Sequence, residues 1–217
     1  MAKIIVLILC QILGNIAHSQ TSKYLYVAED QGFVYIYDIN DNHKFVRKFE
    51  VPGTGEYKGI SADAKRGKLY LSSYTNDQFV CVDLKTEQIQ WSIPILGYPD
   101  SHAQTPDGKY IYLPKRHSHS WDVIDADLGK IVAQVDIPFG NPHNTWASKD
   151  GTKMYLAALG NPNLYVADTK THKVVETVGP FEPNSDDPWG WTQKKRNGPK
   201  GIRPFAVRLM INIAMSI

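Results

Sequence analysis

A repeat constrains this chain more than any other feature. Tyr26, Tyr70, Tyr112 and Tyr155 lie 44, 42 and 43 residues apart, each inside a short apolar run: Tyr24-Leu25-Tyr26-Val27, Leu69-Tyr70-Leu71, Tyr110-Ile111-Tyr112-Leu113 and Met154-Tyr155-Leu156. A second anchor keeps the same period. Asp38, Asp83, Asp125 and Asp168 each close an apolar run 12 or 13 residues after the tyrosine. Self-similarity at 40–45 residues is the mark of a repeat architecture, in which each unit buries its apolar faces only against its neighbours.

Within one period the pattern alternates strand and turn. Pro106-Asp107-Gly108-Lys109 and, 43 residues on, Lys149-Asp150-Gly151-Thr152 are turn sequences, with Asp and Gly supplying turn geometry. Alternating runs such as Ile131-Val132-Ala133-Gln134-Val135-Asp136-Ile137 follow each aspartate turn, and no helical periodicity of ten residues or more occurs after the first twenty positions. The expected fold is all-β: a β-propeller of four-stranded antiparallel blades, about four of them present. A residue needed in every unit is structural, so the recurring aspartates are read as turn caps and not as catalytic carboxylates.

The segment Tyr165-Val166-Ala167-Asp168-Thr169-Lys170-Thr171-His172-Lys173-Val174-Val175-Glu176-Thr177-Val178 resembles the YVTN-type β-propeller repeat. So do Thr105-Pro106-Asp107-Gly108-Lys109-Tyr110-Ile111-Tyr112-Leu113 and Pro142-His143-Asn144 leading into Lys149-Asp150-Gly151. The likeness covers about residues 23–178 and resumes at Gly201-Ile202-Arg203-Pro204-Phe205-Ala206-Val207. It implies an exported propeller, usually seven-bladed, in the broad superfamily that includes quinoprotein amine dehydrogenase subunits. The repeat specifies fold and says little about activity, because one scaffold hosts many functions.

Seven blades need about 300 residues at this period, and residues 20–217 hold fewer than five periods. The units fall at about 23–51, 57–94, 99–137 and 142–178, the first lacking its inner strand, with a lone strand at 202–207. The preferred expectation is an incomplete ring. The rival is closure as four blades, with 202–207 beside the first unit. An open fan would leave edges and a blade flank for self-association. Residues 181–200, with Trp189 and Trp191, form an inserted loop, and 208–217 a tail outside the repeat.

Residues 1–19 read as a secretory signal: Lys3, the apolar run Ile4 to Leu13, then Ala17-His18-Ser19 before the cut at Gln20. The expected location is secreted or periplasmic, with no membrane association after cleavage. Cys81 is then the one remaining cysteine, in the strand-like run Phe79-Val80-Cys81-Val82-Asp83, and is expected to be a buried free thiol. The overall charge of +2 is uneven. Residues 188–217 carry six basic residues and no acid, whereas 20–187 carry an excess of five acids. An acidic body argues against nucleic-acid binding, which depends on neutralising phosphates.

Propellers bind where inner-strand ends meet the central channel. Lys58, Asp100, His102, His143, Asn144 and Arg203 recur at that station of successive units, so they are the candidate ligand-binding residues for a small anionic or polar molecule. His117-Ser118-His119 is the one metal-like pair. No third ligand accompanies it, and Lys115 and Arg116 beside it disfavour a cation, so no metal is expected. Motifs for nucleophilic hydrolysis, zinc, phosphate loops and haem attachment are lacking. No cofactor or catalytic residue is therefore assigned. The reading is an exported, non-catalytic scaffold for a small polar molecule, a glycan or a protein. The alternative is an enzyme or enzyme subunit of the quinoprotein dehydrogenase-like class.

Overall fold

The structure is a computed structural model in which residues 22–159 and 161–181 are described. The expected signal segment, Arg203, the strand expected at 202–207, the tryptophans of the expected inserted loop and the 208–217 tail lie outside the described residues. Within them the chain is all-β, with one short 3-10 turn at Ile39–Asp41 as the only helical element. Four antiparallel sheets follow one another along the sequence, as expected for a propeller of about four blades.

The first sheet is three-stranded, ordered β1 (Tyr24–Ala28), β2 (Phe33–Asp38) and β3 (Lys44–Glu50). The second holds β4 (Tyr57–Asp63), β5 (Lys68–Ser73), β6 (Gln78–Asp83) and β7 (Ile89–Pro94). The third holds β8 (Ala103–Gln104), β9 (Tyr110–Pro114), β10 (Ser120–Asp125) and β11 (Lys130–Asp136). The fourth holds β12 (Pro142–Ala147), β13 (Lys153–Ala158), β14 (Leu164–Asp168) and β15 (Lys173–Val178). All are simple meanders, which short turns dictate for antiparallel neighbours.

The register explains the repeat. Tyr26, Tyr70, Tyr112 and Tyr155 pair with Ile36, Cys81, Val123 and Val166, each two residues before the recurring aspartate. The tyrosines therefore occupy one position of four consecutive sheets, and Tyr70, Tyr112 and Tyr155 are all more than half buried. Each aspartate caps the turn after its strand. Asp83 accepts from the N–H groups of Lys85 and Thr86, Asp125 from those of Asp127 and Leu128, and Asp168 from those of Lys170 and Thr171. Asp38 accepts from Asn40. The side chain thereby replaces backbone partners that the turn cannot supply.

Side chains alternate across a strand, so a middle strand apolar on both faces must be covered on both. Leu69 and Leu71 join Val80 and Val82 in a core with Val34 and Val51 of the first sheet. Tyr70, on the opposite face, joins Phe79, Cys81 and Ile95 in a core with Ile111, Leu113 and Ile124 of the third. The third sheet then presents Tyr112, Trp121 and Val123 to Met154, Leu156, Tyr165 and Ala167 of the fourth. One face pairing is thus used three times. Cys81 is a buried free thiol, and burial pushes its pKa up to about 12.

Polar bridges tie the same neighbours. The Arg47 guanidinium donates to Glu87 at 2.7 Å between the first and second sheets. Lys68 Nζ reaches Asp127 at 2.8 Å between the second and third. Trp121 Nε1 donates to Thr145 at 2.9 Å, and the Tyr112 hydroxyl meets His172 Nδ1 at 2.6 Å, between the third and fourth.

Candidate functional site

The innermost strands β4, β8 and β12 belong to successive sheets, and their starts converge. Ser101 bridges to Asn144 in parallel fashion, and its hydroxyl donates to the Lys58 carbonyl at 3.2 Å. His143 Nε2 lies 3.8 Å from Asp100 Oδ2. Lys58 ion-pairs with Glu56 and sits over the Tyr74 ring, 5.2 Å from its centroid. Four of the sequence candidates, Lys58, Asp100, His143 and Asn144, therefore meet at one end of the inner strands. Arg203 lies outside the described residues.

Asp100 is the buried centre of this group, only 2% exposed. Burial pushes its carboxyl above the ordinary range, opposed by the neighbouring His143 and Arg116. Its Oδ1 accepts from the Ser101 N–H at 2.9 Å. Its Oδ2 has no hydrogen-bond partner among the described residues, and the same holds for Gln104 Oε1. Buried acceptors without partners are uncommon, and a bound donor would satisfy them.

His102, expected to face the channel, is held between the second and third sheets. Its ring is buried, 2.8 Å from the Ser61 hydroxyl at Nε2 and 2.8 Å from the Ser72 hydroxyl at Nδ1, and edge-on to Phe79. Ser72 also donates to the Asp100 carbonyl at 2.8 Å. A neutral imidazole satisfies this network, with Nδ1–H donating to Ser72 and Nε2 accepting from Ser61. Burial holds its pKa down to about 3. His102 therefore ties the second sheet to the third and supports Asp100 from behind.

Gly59 makes that packing possible. A Cβ there would lie 2.7 Å from His102 Nδ1, 2.8 Å from the Asp100 carbonyl oxygen and 2.9 Å from Ser72 Oγ. Only glycine lets β4 approach so closely, and this approach brings Lys58 beside the third sheet.

Next to the charged group, a cavity of about 620 Å³ runs along the inner strands. Ile60 and Ser61, His102 and Gln104, and Asn144 and Trp146 line it, a pair from each of three sheets. Ile60 and the Trp146 indole are partly exposed there, beside amide and hydroxyl groups. Gln104 and Trp146 are parts of the site that spacing did not reveal. The position of Trp146, directly opposite Tyr155, was the available signal.

The metal-like pair has a different setting. His119 Nδ1 lies 2.8 Å from the Gly140 carbonyl, and His117 packs edge-on against Tyr98. Both sit in the connection between β9 and β10, and no group of three or more metal-ligating side chains occurs among the described residues.

Comparison with known proteins supports the fold. No family model matches the sequence. The chain is 30% identical over 168 residues to antigen Lp49 of Leptospira interrogans serogroup Icterohaemorrhagiae serovar copenhageni (strain Fiocruz L1-130), covering 72% of this chain and 36% of that protein. It thus spans about a third of the relative's length. Among solved structures, the hydrazine synthase of Kuenenia stuttgartiensis superposes with a TM-score of 0.64 at 20% identity, covering 71% of this chain and 45% of that one. At that identity the likeness establishes the β-propeller-like fold alone. No helix among the described residues is long and apolar enough to cross a membrane.

Proposed function

We propose that this chain is an exported, non-catalytic binding scaffold of the YVTN-repeat kind. Its ligand is a small polar molecule rich in hydrogen-bond donors, held where β4, β8 and β12 converge. The observation that carries this reading is the gathering of Lys58, Asp100, His143 and Asn144 next to a cavity whose wall includes Gln104, its buried Oε1 without a partner among the described residues. A ligand with hydroxyl or ammonium groups would satisfy Gln104 Oε1, while Trp146 offers an aromatic face for its apolar side. Likeness to a bacterial antigen and the signal-like residues 1–19 support an extracytoplasmic location.

The test is a thermal-shift panel of monosaccharides, polyamines and small carboxylates, with every stabilising compound taken to calorimetric titration. Replacing His143→Ala should weaken a compound that binds by about 10- to 150-fold, the loss of a charge-assisted hydrogen bond of about 1.5–3 kcal/mol. His119→Ala, in the β9–β10 connection, should leave affinity within about twofold, provided both variants match the parent in circular dichroism and melting. Abolition by His119→Ala with His143→Ala unaffected would place the site elsewhere. A panel without a binder would remove the small-molecule reading in favour of a protein partner.

A further inference from the structure

The cavity along the inner strands has a hydrogen-bond polarity that its surroundings fix. Ser72 has one hydroxyl hydrogen and gives it to the Asp100 carbonyl at 2.8 Å. The Ser72 oxygen therefore accepts from His102 Nδ1–H, also at 2.8 Å, which leaves Nε2 as the lone-pair nitrogen. Nε2 in turn takes the one hydroxyl hydrogen of Ser61 at 2.8 Å. Ser61, on the cavity wall, is left with lone pairs alone. Gln104 is fixed in the same sense. The Ala62 carbonyl can only accept, so the amide nitrogen is the Gln104 atom beside it, at 3.1 Å. Gln104 Oε1 is then a buried acceptor without a partner among the described residues. The wall formed by β4 and β8 thus presents two neutral acceptors, and reversing either would break bonds between the second and third sheets.

Charge selects among the donors that could meet them. None of the described residues lining the cavity is an aspartate or a glutamate, and Lys149 is their one cation. Asp100 is not on this wall. It is 2% exposed, with Oδ1 held by the Ser101 N–H and Oδ2 3.8 Å from His143 Nε2. An ammonium group entering the cavity would shed water, meet no carboxylate and face Lys149, while a carboxylate would face the two acceptors. Hydroxyl groups meet neither penalty. Apolar surface completes the pattern, since Ile60 and the Trp146 indole, 40% and 42% exposed, line the same cavity. An indole face is electron-rich and attracts C–H groups of partial positive charge, as on a sugar ring. The volume of about 620 Å³ lies within the range of about 300–1,000 Å³ that small-molecule sites span.

We infer that the ligand of the inner-strand cavity is a pyranose ring, free or at the end of a glycan. One C–H face of the ring lies against Trp146, and its hydroxyls donate to Gln104 Oε1 and Ser61 Oγ. The inference rests on the reading that a small polar molecule binds here, and narrows that molecule from a donor of any kind to a cyclic polyol. Trp146 sets the specificity, because it separates a ring with an apolar face from an open-chain polyol with similar hydroxyl groups.

The test is calorimetric titration of the full chain with the methyl pyranosides of glucose, galactose and mannose, and with sorbitol, spermidine and citrate. At least one pyranoside should bind, and sorbitol, spermidine and citrate should each bind at least about tenfold more weakly. Trp146→Ala should weaken the bound pyranoside about tenfold, and Trp146→Phe, which keeps an aromatic face, should stay within about threefold of the parent. Trp146 is exposed, so both variants should match the parent in circular dichroism and melting. In the parent itself, the indole N–H signal that Trp146→Phe removes from the NMR spectrum should be the one that the pyranoside shifts. Equal affinity for a trisaccharide of the same sugar assigns a single ring, and tighter binding of the trisaccharide assigns a glycan end. Binding of spermidine or citrate without any pyranoside, or of sorbitol as tightly as the pyranosides, would overturn this inference and leave a small-molecule scaffold standing. A panel in which nothing binds would remove both readings. A pyranoside that binds Trp146→Ala as well as the parent, or leaves the Trp146 signal unmoved, would overturn the placement against the indole.

Discussion

At the scale of single residues, His102 shows how a polar side chain in this fold is set by its surroundings. Its folded pKa of about 3 lies below the ordinary 6.5 because burial disfavours the imidazolium. Between those values the unfolded chain binds a proton that the native chain does not. This contribution to stability is therefore complete above pH 6.5 and is lost as the pH falls toward 3. His102→Gln should weaken the fold at neutral pH and flatten the decline of the denaturant midpoint between pH 6.5 and 4. The difference between the two proteins separates His102 from Asp100, whose raised pKa acts with the opposite sign. The repeat tyrosines give a second contrast. The Tyr112 hydroxyl bonds His172, whereas the buried Tyr70 hydroxyl has no partner among the described residues. Tyr112→Phe should cost about 1 kcal/mol in equilibrium unfolding, and Tyr70→Phe should be neutral or slightly stabilising. Equal losses for the two would contradict the difference between their environments.

At the scale of the element, the turn-capping aspartates hold the strands in step. Asp168 is a clear case: Lys153 at 3.1 Å and the backbone N–H groups of Thr171 and Lys170 hold its pKa down to about 2. A carboxylate depressed in this way stabilises the fold above its ordinary pKa near 4 and loses that effect as the pH falls through 2. Asp168→Ala should therefore lower the unfolding midpoint at pH 5 and above, and the gap to the parent should narrow in more acidic solution. These caps were readable from spacing because they act within three residues of their own position. The inner strand of the third sheet was not. Its ladder covers Ala103–Gln104 with an isolated bridge from Pro99 to Lys115, and between them the Asp100 side chain takes the Ser101 N–H and competes with the ladder. Gly59 was equally silent, as its role depends on His102 and Asp100 some forty positions away. Gly59→Ala should shift the His102 ring signals in a two-dimensional NMR spectrum and lower the melting temperature by several degrees. An unchanged His102 environment would show that β4 can give way.

At the scale of the whole molecule, the repeat period alone carried the fold class, because each sheet's apolar faces answer to the sheets beside it. The candidate site was legible only as a station along the sequence. How its members are held depended on neighbouring sheets: Ser61 and Ser72 receive the His102 ring, while Asp100 and His143 came together across two sheets.

The thrice-used interface also bears on how the molecule opens. Among the described residues each sheet packs only on the sheets next to it in sequence, so the free energy is a sum of local terms, as in a row of coupled spins. A row with free ends frays from those ends. In native-state hydrogen exchange, the amides of β5, β6, β9 and β10 should be the slowest to exchange, and those of β1 and β3 should open by sub-global steps well below the cost of complete unfolding.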